Sequence, residues 1–305
     1  MILITGATGC VGRVVVDRLV SSGHQVKCLW HWNHEHSAPR RVTITGGDVR
    51  NTASIVEALS DGGTCDTVIH LGSLRHETRN DTFADVNEQG TRNVVEACKQ
   101  TNTPRLITVM PLGGETRSAF PMLRSMGKAE ESVKASGINW TVLKSAAVIG
   151  EGDWLTSWIM GMSKGLPFVL PLPHDGRTKL QPIWVGDLAA CVERCLSTRS
   201  TFRQIVPVGG PQSLTLAEIA QATLNASKRK RRVVKVSSRF TEQLSRFVTR
   251  CQHALDLSEL ESLSYNRTTE IGGVHRTFGF VPAKITTRLS FLSGAGDSFL
   301  TPVRY

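Results

Sequence analysis

The sequence predicts an α/β fold, a doubly wound parallel sheet with a smaller, interleaved C-terminal α/β lobe. Three observations carry this expectation. Short apolar strands alternate with helical segments through the first half of the chain. The opening strand runs straight into glycines at positions 6, 9 and 12. After Gly150 the alternation loosens into proline-punctuated strands and isolated helices.

Taken in order, Ile2–Ile4 is an uninterrupted apolar run, as expected of a parallel strand covered on both faces. Gly6 permits the tight turn out of it, Gly9 clears a side chain where backbone must approach a pyrophosphate, and Gly12 lets the next helix lie close to the sheet. That helix, Val11–Ser22, carries Val11, Val14, Val15 and Leu19 on one side, and its N-terminal dipole end would face the phosphates. Further strands are expected at Gln25–Trp30, Val42–Thr45, Thr67–Leu71, Arg105–Val109 and Thr141–Leu143. Helices are expected at Thr52–Leu59, Phe83–Gln100 and Met122–Ser136. Right-handed crossovers then place ligand at the carboxyl ends of the strands.

Beyond Gly150, Trp154–Ser163 reads as a helix, Pro167–Pro173 as extended and Pro182–Val185 as a strand. Asp187 is placed to cap a helix Leu188–Leu196. A strand Gln204–Val208 and a helix Leu214–Asn225 follow. The expected organisation is a dinucleotide-binding domain over 1–150, with a returning segment near 180–210, and a smaller partner or substrate lobe over 151–305.

Composition is that of an ordinary globular protein, with 305 residues, 40% hydrophobic and 20% charged. Seven cysteines are scattered without a Cys-x-x-Cys pair, and Cys191 and Cys195 offer only two ligands, so no metal site is expected. They read as free thiols of a reducing compartment such as the cytoplasm. No secretory signal precedes the first strand, and no apolar run reaches the roughly 18 residues of a spanning helix. Trp154–Leu172 is the most apolar candidate, broken by Ser157, Ser163, Lys164 and Pro167. The net charge of +10 owes much to Lys228-Arg229-Lys230-Arg231-Arg232. This run reads as a solvated turn before a strand Val233–Val236. It is also a basic face open to nucleic acid, anionic lipid or an acidic protein, although no nucleic-acid motif accompanies it.

Several motifs then agree in order. Thr5-Gly6-Ala7-Thr8-Gly9-Cys10-Val11-Gly12 is followed by Gly47-Asp48-Val49, His70-Leu71-Gly72-Ser73, Asn87-Glu88-Gln89-Gly90-Thr91-Arg92-Asn93 and Lys128-Ala129-Glu130. Ser136–Lys144 and Gln181–Ala189 complete the series. Together they resemble the atypical short-chain dehydrogenase/reductases, with a Rossmann-type fold. The resemblance is nearest to the subgroup of the nucleotide-binding accessory subunit of complex I, beside NmrA-like and isoflavone-reductase-like proteins. It covers about Met1–Glu218. It implies a nicotinamide dinucleotide site in which Thr8, Gly9, Cys10 and Val11 cradle the pyrophosphate. Asp48 would bond the adenine amino group, with Val49 against the ring. Leu71, Gly72 and Ser73 would line the adenosine ribose side. Lys128 would reach the nicotinamide ribose, and the run Ser145-Ala146-Ala147-Val148 would lie along the nicotinamide. The second strand ends without a carboxylate until Glu35, and His31 stands where the family often has arginine, with Arg13, Arg40 and Arg41 as further charge. This favours NADP(H) over NAD(H). His31 is equally readable as a loop residue without a ligand role.

The proton-transfer apparatus of active relatives is incomplete. They use a Tyr-x-x-x-Lys pair, whose spacing places both side chains on one helix face. Here Arg124 stands four residues before Lys128, and the chain's two tyrosines, Tyr265 and Tyr305, lie elsewhere. Arginine cannot release a proton near neutral pH. Met110 and Pro111 occupy the usual serine position, with Thr108 before it, and Ser125 is an uncompelled substitute. Three functions fit these residues. The first is an accessory, assembly or redox-sensing protein, peripheral to a membrane complex, docking a partner through 154–172 or the basic C-terminal lobe. The second is an NADPH-dependent reductase of a quinone- or enone-like substrate with Lys128 as the catalytic group. The third is an NmrA-like regulator.

Overall fold

The computed structural model describes residues 1–31, 42–166, 168–173, 176–237, 239–241, 243–244, 260, 263 and 265–293. The chain divides into two compact units. Among the described residues, the first comprises Met1–Ser145 and Gly186–Pro207, and the second Ala146–Val185 and those from Val208 to Ser293.

The first unit is built on a seven-stranded sheet. Its strands are β1 (Ile2–Thr5), β2 (Val26–Trp30), β3 (Thr43–Gly46), β4 (Thr67–His70), β5 (Arg105–Pro111), β6 (Asn139–Ser145) and, returning from late in the chain, β11 (Gln204–Val208). The spatial order is β11-β6-β5-β4-β1-β2-β3, and the pairings from β3 through β6 are all parallel. The order reverses between β1 and β4, the switch point at which open α/β sheets bind ligands. β1 and β4 are buried along their whole length, as strands of a parallel sheet covered on both faces must be. Helices α1 (Cys10–Ser21), α2 (Thr52–Ser60), α3 (Gly90–Gln100) and α4 (Pro121–Lys134) connect the strands. Leu3, Ile55, Val68, Val94, Leu106, Met126 and Val142 belong to one core cluster spanning sheet and helices.

The returning segment is fixed by charge as well as by strand pairing. Arg105, buried in β5, donates to the carbonyls of Asn139 (2.7 Å) and Cys195 (2.9 Å) and to the Thr141 hydroxyl (2.6 Å). Burial pushes its pKa down to about 10, which still leaves it cationic. Arg18 of α1 pairs with Glu193 of α6 (Val185–Arg194) at 2.5 Å.

The second unit contains β7 (Val148–Ile149), α5 (Trp154–Gly165), β8 (Val169–Pro173), β9 (Lys179–Leu180), β10 (Ile183–Trp184), β12 (Leu214–Thr215), α7 (Leu216–Ala226), β13 (Arg232–Val236) and α8 (Gly273–Phe278). Its strands form pairs: β10 with β7, β12 with β9 and β13 with β8. Leu155, Trp158, Ile159 and Met162 recur at helical spacing along α5 and are fully buried in this unit's own core, with Leu170, Leu172, Leu216, Ile219 and Leu224. The apolar stripe of 154–172 therefore packs inward and does not present a docking face. Phe168 is the exception, 80% exposed. Pro167 lies outside the described residues.

Three local expectations are corrected. Phe83–Gln100 is not one α-helix, because Ala84–Gln89 is π-helical before α3 begins at Gly90. The wider turn lets the Asn87 side chain bond both the N–H (2.6 Å) and the carbonyl (3.2 Å) of Leu74. Asp187 does not cap a helix starting at Leu188. The helix starts at Val185, and Asp187 lies in its first turn, where a carboxylate still favours the dipole. Leu214 is strand rather than helix. Thr215 caps α7 in a capping box with Glu218, whose carboxyl these hydrogen bonds from Thr215 hold below its usual pKa.

Candidate functional site

A cavity of about 390 Å³ opens at the carboxyl ends of β1 and β4, within the size range of small-molecule sites. Its floor is the turn Thr5–Gly9, one wall is His31 with Asp48, Val49 and Arg50, and the opposite wall is Leu71, Gly72 and Ser73.

The glycines that shape the floor differ in kind. Gly6 has φ +73°, and a Cβ there would stand 2.5 Å from the Gly72 nitrogen. A Cβ at Gly12 would stand 2.1 Å from the Gly6 carbonyl oxygen. Both glycines are demanded by the fold itself. Gly9 is not: φ is −68°, and a Cβ would meet nothing closer than the Gly6 carbonyl oxygen at 3.5 Å. Gly9 keeps clear a space that no part of the described chain fills. It also begins α1 without a side-chain cap and without an acid in the first turn. An anion entering there would meet the helix N-terminus directly. Cys10, Val11 and Gly12 form that first turn behind the cavity, and Gly12 is buried.

The wall at the end of β2 is an ion-pair network. The Asp48 carboxylate accepts from the Arg50 side chain (Nε 2.8 Å, Nη2 2.5 Å) and from the Arg50 backbone N–H (2.9 Å). His31 Nε2 lies 3.2 Å from the same carboxylate. Arg50 reaches on to Asp81 at 2.9 Å. Burial pushes the Asp48 pKa up, but the Arg50 hydrogen bonds, then the Arg50 and His31 charges, outweigh it and hold the carboxyl below its usual value. Val49 is fixed through its carbonyl, which accepts from the Asn93 side chain at 2.9 Å. Arg40 and Arg41 lie outside the described residues.

Beneath the cavity, His70 is buried between the hydroxyls of Thr5 and Thr91, and burial pushes its pKa down to about 4. The Thr5 hydroxyl also accepts from the Gly72 N–H at 3.4 Å.

The residues expected to carry chemistry are placed as follows. Lys128 of α4 is half-exposed and pairs with Glu88 at 3.2 Å. Arg124, one turn earlier, donates to the Ser118 carbonyl at 2.9 Å. Ser125 cannot substitute for the missing serine. It is 2% exposed, accepts from Asn87 Nδ2 at 2.9 Å and donates to the Met122 carbonyl at 2.7 Å, which uses its only proton. Thr108 and Met110 are buried in β5. Tyr265 is exposed in the second unit, and Tyr305 lies outside the described residues. Ala146 and Val148 belong to the second unit, where Ala146 donates its N–H to Val208 at 2.9 Å and Val148 pairs with Ile183.

Sequence reasoning missed Arg50, Asp81, Leu74 and Val86 on the cavity wall. Arg50 was within reach, since a residue two after an aspartate in a turn is placed to bond its carboxylate. Asp81 carries no such local signal. Among the described residues no group of three or more His, Cys, Asp or Glu could hold a metal ion. Desolvation raises the Cys28, Cys98 and Cys195 thiols to about 12, so they are inert.

A family described as NAD(P)H-binding matches residues 6–156. The chain is 31% identical over 246 residues to an Arabidopsis thaliana protein named NADH dehydrogenase [ubiquinone] 1 alpha subcomplex subunit 9, mitochondrial. That alignment covers 76% of this chain and 59% of the relative. A Neurospora crassa NADH-ubiquinone oxidoreductase 40 kDa subunit is 25% identical over 79% of this chain and 64% of its own length. The chain thus spans less than two-thirds of either relative. The photosystem II assembly factor Ycf39 of Guillardia theta is 24% identical over 95% of this chain and 92% of its own length. Among solved structures, a Staphylococcus aureus nucleoside-diphosphate-sugar epimerase superposes with a TM-score of 0.75 at 19% identity, covering 95% of this chain and 99% of that one. The Bordetella bronchiseptica enzyme WbmH in complex with NAD+ gives 0.71 at 14% identity, covering 95% of each. At these identities the likeness speaks for the fold alone.

Proposed function

Because residues 6–156 belong to the NAD(P)H-binding family, in a chain of the atypical short-chain dehydrogenase/reductase type, we propose that this protein holds a nicotinamide dinucleotide as a structural or redox-sensing ligand in an accessory or assembly role. One observation carries this. The cradle is kept open at Gly9, while the proton-donor position is filled by Arg124, whose guanidinium is fixed on the Ser118 carbonyl.

The residues fit the ligand. The pyrophosphate would lie over Gly6–Gly9 at the α1 N-terminus, and the adenosine between Asp48-Val49 and Leu71-Gly72-Ser73. Lys128 would serve the nicotinamide half. NADP(H) is favoured over NAD(H). His31 gives the end of β2 no carboxylate, and Arg50 with His31 compensates the Asp48 charge where a 2′-phosphate would approach. A bound dinucleotide would supply hydride chemistry, but this chain's Arg124 holds its proton and Ser125 has none to give. The relatives named as a respiratory-complex subunit and a photosystem assembly factor support a partner within a membrane complex.

The test is thermal unfolding with each of the four dinucleotides, beside NADPH oxidation with a panel of quinones and enones. A ligand at 100 times its Kd adds about 2.7 kcal/mol of stability, a readily measured rise in Tm. The expected outcome is such a rise, largest for NADP(H), with no oxidation of NADPH. Turnover that disappears in Lys128→Ala transfers the protein to the reductases. No shift with any dinucleotide overturns the proposal.

A further inference from the structure

The cations that follow α7 form a surface the dinucleotide does not use. Lys228 turns the chain with a left-handed φ of +56°, and the next residues alternate in exposure. Arg229 and Arg231 are half-buried, and both guanidiniums donate to the Ser163 carbonyl near the end of α5, Arg229 at 3.4 Å and Arg231 at 3.1 and 3.0 Å. There they offset the negative end of that helix. Lys228, Lys230 and Arg232 are left exposed. Arg232 donates its backbone N–H to the Phe168 carbonyl at 2.9 Å, which sets the most exposed phenylalanine of the described chain at the end of the cation row. No Asp or Glu occurs in 154–173 or in 219–241, so the segments that form this surface carry one sign of charge.

We infer that this surface docks on the anionic face of a phospholipid bilayer, with Lys228, Lys230 and Arg232 on headgroup phosphates and Phe168 inserted beside them. Cations near such a surface each contribute about a fivefold gain in affinity, and an aromatic ring beside them is buried at the headgroup boundary. No described helix is long and apolar enough to cross a membrane, so this contact is peripheral. Single-stranded nucleic acid calls for a series of stacking rings along the cations, whereas this row has one ring at its end. The inference stands independently of the dinucleotide site.

The experiment is co-sedimentation of the full chain with phosphatidylcholine vesicles, with and without phosphatidylglycerol, at low and high salt. Binding is expected only to the anionic vesicles and falls as salt screens the charges. Replacing Lys228, Lys230 and Arg232 together by glutamine weakens it on the order of 100-fold. Phe168→Ser, at a position too exposed to matter for folding, weakens it roughly tenfold. Lys228→Arg with Lys230→Arg retains it. Equal binding to pure phosphatidylcholine, or wild-type binding by Phe168→Ser and the glutamine variant, overturns the inference. So does a single-stranded oligonucleotide that displaces the vesicles at equal phosphate concentration.

Discussion

His70 Nδ1 lies 2.6 Å from the Thr5 hydroxyl, and the surrounding hydrogen bonds favour one assignment of the donors. The Thr91 hydroxyl gives its proton to the Asn87 carbonyl at 2.7 Å, so toward His70 Nε2, 3.1 Å away, it can only accept. Nε2 therefore carries the ring proton and Nδ1 accepts from Thr5, whose oxygen in turn accepts from the Gly72 N–H. The chain of bonds ties the ends of β1 and β4 to the cavity wall and requires a neutral imidazole.

That requirement makes stability depend on pH. Burial holds His70 near 4, against 6.5 in the unfolded chain. As pH falls from about 6.5 to about 4 the unfolded state takes up a proton that the folded state refuses, at a cost of roughly 3 kcal/mol. Asp153 offsets this loss in the wild type over nearly the same range, so it is read as the difference in urea unfolding between the wild type and His70→Gln, which should grow as pH rises from about 4 to about 6.5. A variant that retains the wild-type slope would contradict this account.

Asp153 acts with the opposite sign. Burial raises its pKa to about 6, although hydrogen bonds from Thr156 and Gly150 work against the rise. Its unfolded value is near 3.8, so its contribution declines as pH climbs from about 4 to about 6 and is level above. The two windows overlap and partly cancel in the wild type. Asp153→Asn should steepen the rise of stability with pH, while His70→Gln should flatten or reverse it. Asp153→Asn should also cost about 1–3 kcal/mol at neutral pH, because one of its acceptor oxygens is lost.

The three glycines of the first turn, Gly6, Gly9 and Gly12, should separate folding from binding. Gly12→Ala places a methyl group 2.1 Å from a backbone oxygen and Gly6→Ala adds a strained φ, so both should lower stability by more than about 2 kcal/mol. Gly9→Ala should unfold within about 0.5 kcal/mol of the wild type. Its stabilisation by dinucleotide should be lost, as calorimetric titration would show.

Arg50 should govern the choice of cofactor. Calorimetric Kd values for NADPH and NADH should show Arg50→Ala losing about tenfold or more of any preference for the phosphorylated form, the scale of one charged hydrogen bond. An unchanged ratio would remove Arg50 from that role.

The core of the fold was legible because β1, β4 and β5 are short apolar runs and the intervening helices repeat at helical spacing. Bounds failed where a side chain, not a propensity, sets the backbone. Asn87 widens a helix in order to reach Leu74, and Thr215 with Glu218 starts α7 two residues after Leu214 first suggests helix. The cavity was legible from the glycine spacing, but the difference between the three glycines was not, since only the neighbours of each missing Cβ distinguish Gly9 from Gly6 and Gly12. The 154–172 stretch could be read as a partner face or as core, because an apolar helical stripe looks the same in both. Asp81 meets Arg50 through a loop that local pattern does not encode.

The late return of Gln204–Val208 to the edge of β6 bears on how the chain is made. During synthesis, the sheet that carries the cavity is complete through β6 once Ser145 has emerged, yet that strand then has an open edge. The carbonyl of Cys195 that Arg105 will bond is still to be translated. Until the ribosome has passed Val208, an unpaired edge and a buried cation without all its partners invite association with other nascent chains. A fragment ending after β6 should therefore aggregate, and supplying residues 186–207 in trans should rescue it.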